Sequence, residues 1–178
     1  MSKTNRAAGE PQIEQREPLH YLAIAAQPND EGEFRAAADS AFPELFAWLG
    51  QRSIEPAGPP FIRYSSFDPA TGGGEIEIAV EVAEDAALAA DERVRAGVVP
   101  AGRYATVVHA GAYTHETEPD LSDAHAALVS WAQRNGIELP RRPGGFHERY
   151  LVGPDSETDH TRWRTELIYT ATPAMTEH

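Results

Sequence analysis

The chain carries one pattern twice, and this constrains its fold more than any figure of composition. "FAWLGQRSIEP" (Phe46 to Pro56) lies over "VSWAQRNGIEL" (Val129 to Leu139) at a constant shift, pairing Trp48 with Trp131, Ile54 with Ile137 and Glu55 with Glu138. Upstream, "HYLAIAAQ" (His20 to Gln27) matches "RYATVVHA" (Arg103 to Ala110) at the same shift, with Tyr21 over Tyr104. Downstream, "FIRYSSFDP" matches "HERYLVGPD", setting Arg63 over Arg149 and Tyr64 over Tyr150. "EIEIAVEV" falls on "RTELIYTA", setting Glu77 over Glu166. Small loop insertions account for the slightly larger shift there.

Each copy reads strand, helix, strand, strand. The first helix is expected from about Glu31 to Arg52, where Phe34, Ala38, Ala41, Leu45, Trp48 and Leu49 recur at helical spacing. Pro43 interrupts it, which predicts a kink there or a new helix with Pro43 in its first turn. The second is expected from about Pro119 to Asn135, with Leu121, Ala124, Leu128 and Trp131 on one stripe and Gly136 as its C-terminal stop. Trp48 and Trp131 read as core anchors. One such unit leaves a sheet face and a helix stripe needing cover. Two copies are therefore expected to join into one pseudo-twofold antiparallel sheet of α+β class, with two main helices and a central cleft of the kind that holds small molecules. The predicted organisation is a flexible tail over residues 1–11 and a single domain over 12–178. Repeat one spans about 12–92 and repeat two about 93–172.

Charge and residue content narrow the function. At 178 residues with 41% hydrophobic content the chain can bury a core. A formal net charge of −13 with no basic stripe argues against nucleic acid as a direct partner and favours cationic or neutral ligands. The absence of cysteine excludes disulfides, thiolate nucleophiles and zinc-thiolate sites, and agrees with a cytoplasmic setting. Neither a signal peptide nor a membrane span is legible. The seven histidines show no i, i+4 pair, so neither metal nor cofactor is expected. "TGGGE" (Thr71 to Glu75) precedes a strand and lacks a phosphate-loop ending, so it reads as a turn. No Gly-x-Ser-x-Gly elbow is present.

Along "TRWRTELIYTAT", alternation sends Trp163, Thr165, Leu167 and Tyr169 to one face and Arg164, Glu166, Ile168 and Thr170 to the other. By that pattern alone Glu166 reads as a solvated carboxylate beside Arg164 or a cross-strand base; facing a closed cleft it would hold a cation or move a proton. Its repeat mate Glu77 lies with Glu75 and Glu81 on a face that reads as wet. Glu148 and Tyr150 share a strand face, and Tyr150, like its twin Tyr64, faces either the cleft or the sheet core. Tyr104 reads as core, Tyr113 as a cap at the pocket mouth, and Trp163 as a rim aromatic or a plain strand residue.

"PAGRYATVVHAGAY" (Pro100 to Tyr113), "HERYLVGPD" (His147 to Asp155), "RTELIY" and, in the first half, "GPPFIRY" (Gly58 to Tyr64) together resemble the GyrI-like small-molecule-binding family. That family shares its fold with the effector-binding domains of AraC-type and MerR-type transcription regulators, some of them multidrug sensors. The resemblance covers nearly everything from Ile13 to Thr172. It implies a cleft glutamate at Glu166 among aromatic walls, with Trp163, Glu148, Tyr150, Tyr113, Tyr104 and Tyr64 as candidate ligand-binding residues. A carboxylate in an apolar cleft binds a cation or rises in pKa, and rings add cation–π attraction. The implied function is that of a stand-alone module for apolar, cationic or neutral organic molecules. About a dozen residues precede the first repeat, so no fused helix-turn-helix is expected, and sensing would run through a separate protein partner. The alternative is a hydrolase of electrophilic cyclopropane-type molecules, with Glu166 activating water and Tyr150 or Tyr113 as acid. A third implied role is protein interaction of the gyrase-inhibitor kind.

Overall fold

A computed structural model describes residues 9–113, 120–140 and 145–173. The start of the expected tail (1–8), Pro119 and the loop at 141–144 lie outside the described residues. The class is α+β with antiparallel strands, as the repeat predicts. In chain order the main elements are β1 (Gln12–Arg16), β2 (Leu19–Ala26), α1 (Glu31–Gln51), β3 (Pro60–Asp68), β4 (Gly73–Glu81), β5 (Arg95–Val99), β6 (Gly102–Ala110), α2 (Leu121–Arg134), β7 (Ile137–Glu138), β8 (Phe146–Val152), β9 (Arg164–Thr170) and β10 (Thr172–Pro173). Among the described residues there are also two short 3-10 helices, Glu84–Ala89 and His160–Arg162. No helix among the described residues is long and apolar enough to cross a membrane.

The described chain divides into two units. The α1 unit holds residues 17–101 and 145–147, with strands in the order β3-β4-β2-β5. The α2 unit holds residues 9–16, 102–113, 120–140 and 148–173, in the order β8-β9-β6-β1. The outermost strands are exchanged in sequence. β1 precedes β2 in the chain but pairs with β6, Gln12 opposite Thr106; β5 precedes β6 but pairs with β2, Arg95 opposite Ala23. Since Ala23 is the repeat mate of Thr106, the two added strands sit in the same register.

Both helices begin on an aspartate. The Asp30 carboxylate accepts from the Glu33 N–H at the start of α1, and Asp120 and Asp123 form a reciprocal capping box at the start of α2. α1 runs unbroken through Pro43, so neither the kink nor a second helix start is needed to accommodate it. Pro43 and Asp39 are both exposed, so the carbonyl that loses its helical partner is open to water. Each helix is followed by a left-handed residue, Ser53 (φ 55°) after α1 and its repeat mate Gly136 (φ 66°) after α2. Ala41, Leu45, Trp48 and Leu49 bury α1, and Phe34 stacks on Tyr64 of β3. Leu121, Leu128 and Ala132 bury α2. On the opposite face of the α1 unit's sheet, Tyr21 donates to Glu77 at 2.8 Å and receives Arg63 at 2.8 Å. Gly97 makes room for that ring, since a Cβ there would come within 2.3 Å of Tyr21.

β9 is buried on both faces from Thr165 to Tyr169. A strand covered on both sides carries no wet face, which is why alternation alone reads Glu166 as solvated while the structure buries it.

Candidate functional site

The side chains best arranged for chemistry lie in the α2 unit around Glu148. Glu148 is 5% exposed, and its two oxygens have separate partners. His125 Nε2 lies 2.8 Å from Oε1, and the Tyr150 hydroxyl donates to Oε2 at 2.9 Å. His125 Nδ1 is in turn 2.6 Å from the Tyr169 hydroxyl. A neutral imidazole completes this line without conflict: Tyr169 donates to Nδ1, and Nε2–H donates to the carboxylate. With a protonated imidazole the same contact is an ion pair.

Rings flank this acid. Tyr113 meets Tyr150 edge to face at 5.7 Å and Trp163 at 4.9 Å, and all three are half-buried. The backbone holds them there. Gly111, at φ 128°, turns the chain out of β6, and its N–H donates to the Trp163 carbonyl at 3.0 Å. His109 Nε2 holds the Ala112 carbonyl at 3.1 Å just before Tyr113, and the Trp163 indole N–H donates to the Glu157 carbonyl at 2.8 Å. The Tyr113 hydroxyl lies against Gly153, where a Cβ would stand 3.1 Å from it. Burial, with added repulsion from Glu148 and Asp155, pushes the Tyr113 phenol up to about 12. Burial and Glu148 raise Tyr169 as well. Glu148 is the charge that contributes to both shifts.

Glu166 has a different setting. It is 4% exposed and accepts from Arg16 of β1 at 2.8 Å on Oε2 and from Arg149 of β8 at 3.0 Å on Oε1. The same Nη2 of Arg16 also donates to Glu14 at 2.6 Å. Burial works to lower the Arg16 pKa, but the bonds and charges of Glu166 and Glu14 raise it above its ordinary value. With both oxygens on guanidiniums, this carboxylate is compensated within the chain. The repeat shows the same pairing in weaker form, Arg63 standing 3.9 Å from Glu77.

Of the residues singled out in sequence, the structure thus brings Glu148, Tyr150, Tyr113 and Trp163 together. Tyr104 is buried in β6 opposite Glu14 and Thr170. Tyr64 belongs to the α1 unit, stacked on Phe146 at 4.5 Å and edge-on to Phe67 at 5.8 Å. Sequence reasoning missed His125, Tyr169, Arg16 and Arg149. His125 had a signal: it falls on the helical stripe of Leu121, Leu128 and Ala132, where an imidazole needs a buried partner. Arg16 had none, because β1 pairs with the later repeat.

Known structures place the fold. The chain matches EcmrR in its DNA complex at a TM-score of 0.74 and 17% identity, covering 93% of this chain and 58% of that one. Against the EcmrR C-terminal domain alone the TM-score is 0.68 at 18% identity, covering 93% and 98%. A hydrolase from Listeria innocua matches at 0.63 and 13% identity, covering 96% and 95%. SAV2435 bound to tetraphenylphosphonium matches at 0.59 and 14% identity, covering 92% and 94%. No curated protein matches. The model of the GyrI-like small molecule binding domain matches residues 9–170, and the chain belongs to that family.

Proposed function

We propose that this chain binds small apolar organic cations at the Glu148 cluster, as a sensing or sequestering module of the cytoplasm. The observation that carries this reading is a buried carboxylate whose hydrogen-bond partners, His125 and Tyr150, need carry no charge, set beside the rings of Tyr113 and Trp163. Such an acid gains from a desolvated cation, and each well-placed ring adds roughly 0.5–2 kcal/mol. The structural likeness to SAV2435, which holds tetraphenylphosphonium, agrees with this ligand class. Glu166, the residue favoured by the closing-strand resemblance, acts in this reading as a tie between Arg16 and Arg149.

Titration of the protein with tetraphenylphosphonium, read by tryptophan quenching, tests the proposal. Glu148→Gln is expected to weaken binding by about tenfold or more, while Glu166→Gln leaves the affinity of the folded protein within about twofold. Equal weakening by both variants would count against the assignment.

A second reading, hydrolysis of an electrophilic small molecule, draws on the hydrogen-bonded line Tyr169–His125–Glu148–Tyr150. That line is suited to taking a proton from water and returning it through a phenol. It requires turnover that Glu148→Gln and Tyr150→Phe both abolish; binding without turnover supports the first reading.

A further inference from the structure

The α1 unit contains a groove of about 420 Å³ lined by Ala25, Ala26, Gln27, Glu75, Glu77 and Arg95, among others. It lies where a sheet edge stops being covered. β5 pairs with β2 only from Leu19 to Ala23, whereas β4 follows β2 on to Ala26. Beyond Arg95 the chain leaves the edge. Asp91 N–H donates to the Val94 carbonyl, and the Asp91 carboxylate takes the N–H groups of Arg93 and Val94.

The other unit shows what the same edge does when covered. There the chain ahead of β1 continues along β6, and Gly9 N–H donates to the Val108 carbonyl at 3.0 Å. Val108 is the repeat mate of Ala25, and the registers agree: Val108 lies opposite Glu166, and Ala25 opposite Glu77. The Ala25 peptide groups therefore point away from β4 into the groove, and among the described residues no backbone bond comparable to that of Gly9 reaches them.

We infer that this groove accepts a short extended basic peptide, which adds as a strand to β2 at Ala25. Backbone pairing supplies the attachment. Side-chain choice follows from the face: a residue placed opposite Ala25 projects on the side of Glu77, about 10 Å away across two strand spacings. The small Ala25 leaves that path open, and a lysine or arginine spans it to reach Glu75 and the Oε2 side of Glu77, whose Oε1 takes Tyr21 and Arg63. Glu75 is exposed, with Gln27 Nε2 at 3.3 Å. Arg95, on the same face through its pairing with Ala23, offers a contact for an acceptor further along the peptide.

The full chain is tested with a capped peptide of alternating lysine and valine, followed by amide NMR shifts and fluorescence anisotropy. Saturable binding is expected, with shifts centred on Ala25, Ala26, Gln27 and Ala96. Glu75→Lys is expected to weaken it about tenfold. Methylating every second backbone nitrogen of the peptide is expected to abolish binding in one register and spare it in the other. The inference is overturned if the peptide does not saturate, if both methylated forms bind like the parent, or if the shifts map to Glu148 and its rings.

Discussion

A carboxylate in a protein interior is defined by what its oxygens touch. Glu148 and Glu166 are almost equally buried, yet one accepts from an imidazole and a phenol and the other from two guanidiniums. Guanidiniums hold only the second; near the first, burial above all and the Glu148 and Asp155 charges after it raise the Tyr113 phenol. A phenol held near 12 in the folded chain against about 10 unfolded favours folding fully below about pH 10, and that contribution is lost as pH rises toward 12. Denaturant melts between pH 10 and 12 should therefore show falling stability, with a shallower fall in Tyr113→Phe; equal slopes would show that Tyr113 ionises alike in both states. At this scale the sequence was partly legible. The spacing of Glu148 and Tyr150 put both on one strand face, and the Gly-x-Tyr turn placed Tyr113. The two arginines on Glu166 were not legible, because Arg16 reaches it from a strand outside its own repeat.

That strand is the lesson at the scale of elements. Alternation and helical spacing located the four elements of each repeat, and Gly136 marked the end of α2 as expected. Pairing partners were hidden, because local pattern says which residues form a strand and nothing of which edge it joins. The exchanged β1 carries Arg16 to Glu166. Arg16→Ala should destabilise the fold by about 3 kcal/mol in chemical denaturation, since it removes one of two cations from a buried acid; a loss under 1 kcal/mol would make the tie incidental. In the α1 unit the equivalent added strand, β5, is fitted to Tyr21 by Gly97. Gly97→Ala should cost about 1–3 kcal/mol, because the ring it displaces links Arg63 and Glu77. An unchanged midpoint would show that the ring shifts freely.

For the molecule as a whole, duplication explains both what was readable and what was not. Two copies of one pattern announced the α+β class and the placement of the helices, and the quoted motifs announced the family; the exchange of the outermost strands stayed hidden. The proposed site lies where the copies differ. Glu148 falls where the first copy has Ile62, by the match of "HERYLVGPD" to "FIRYSSFDP", so one half of the pattern carries an acid where the other carries an apolar side chain. The α1 unit fills the corresponding face with Tyr64, Phe34, Phe67 and Phe146. The α2 unit sets half-buried rings around a charge. A crystal structure of the protein with tetraphenylphosphonium tests this account most directly. It should show phenyl rings against Tyr113, Tyr150 and Trp163, with Glu148 as the nearest carboxylate and the Arg16–Glu166–Arg149 contacts intact. A ligand seated on Glu166 with either arginine displaced would contradict it.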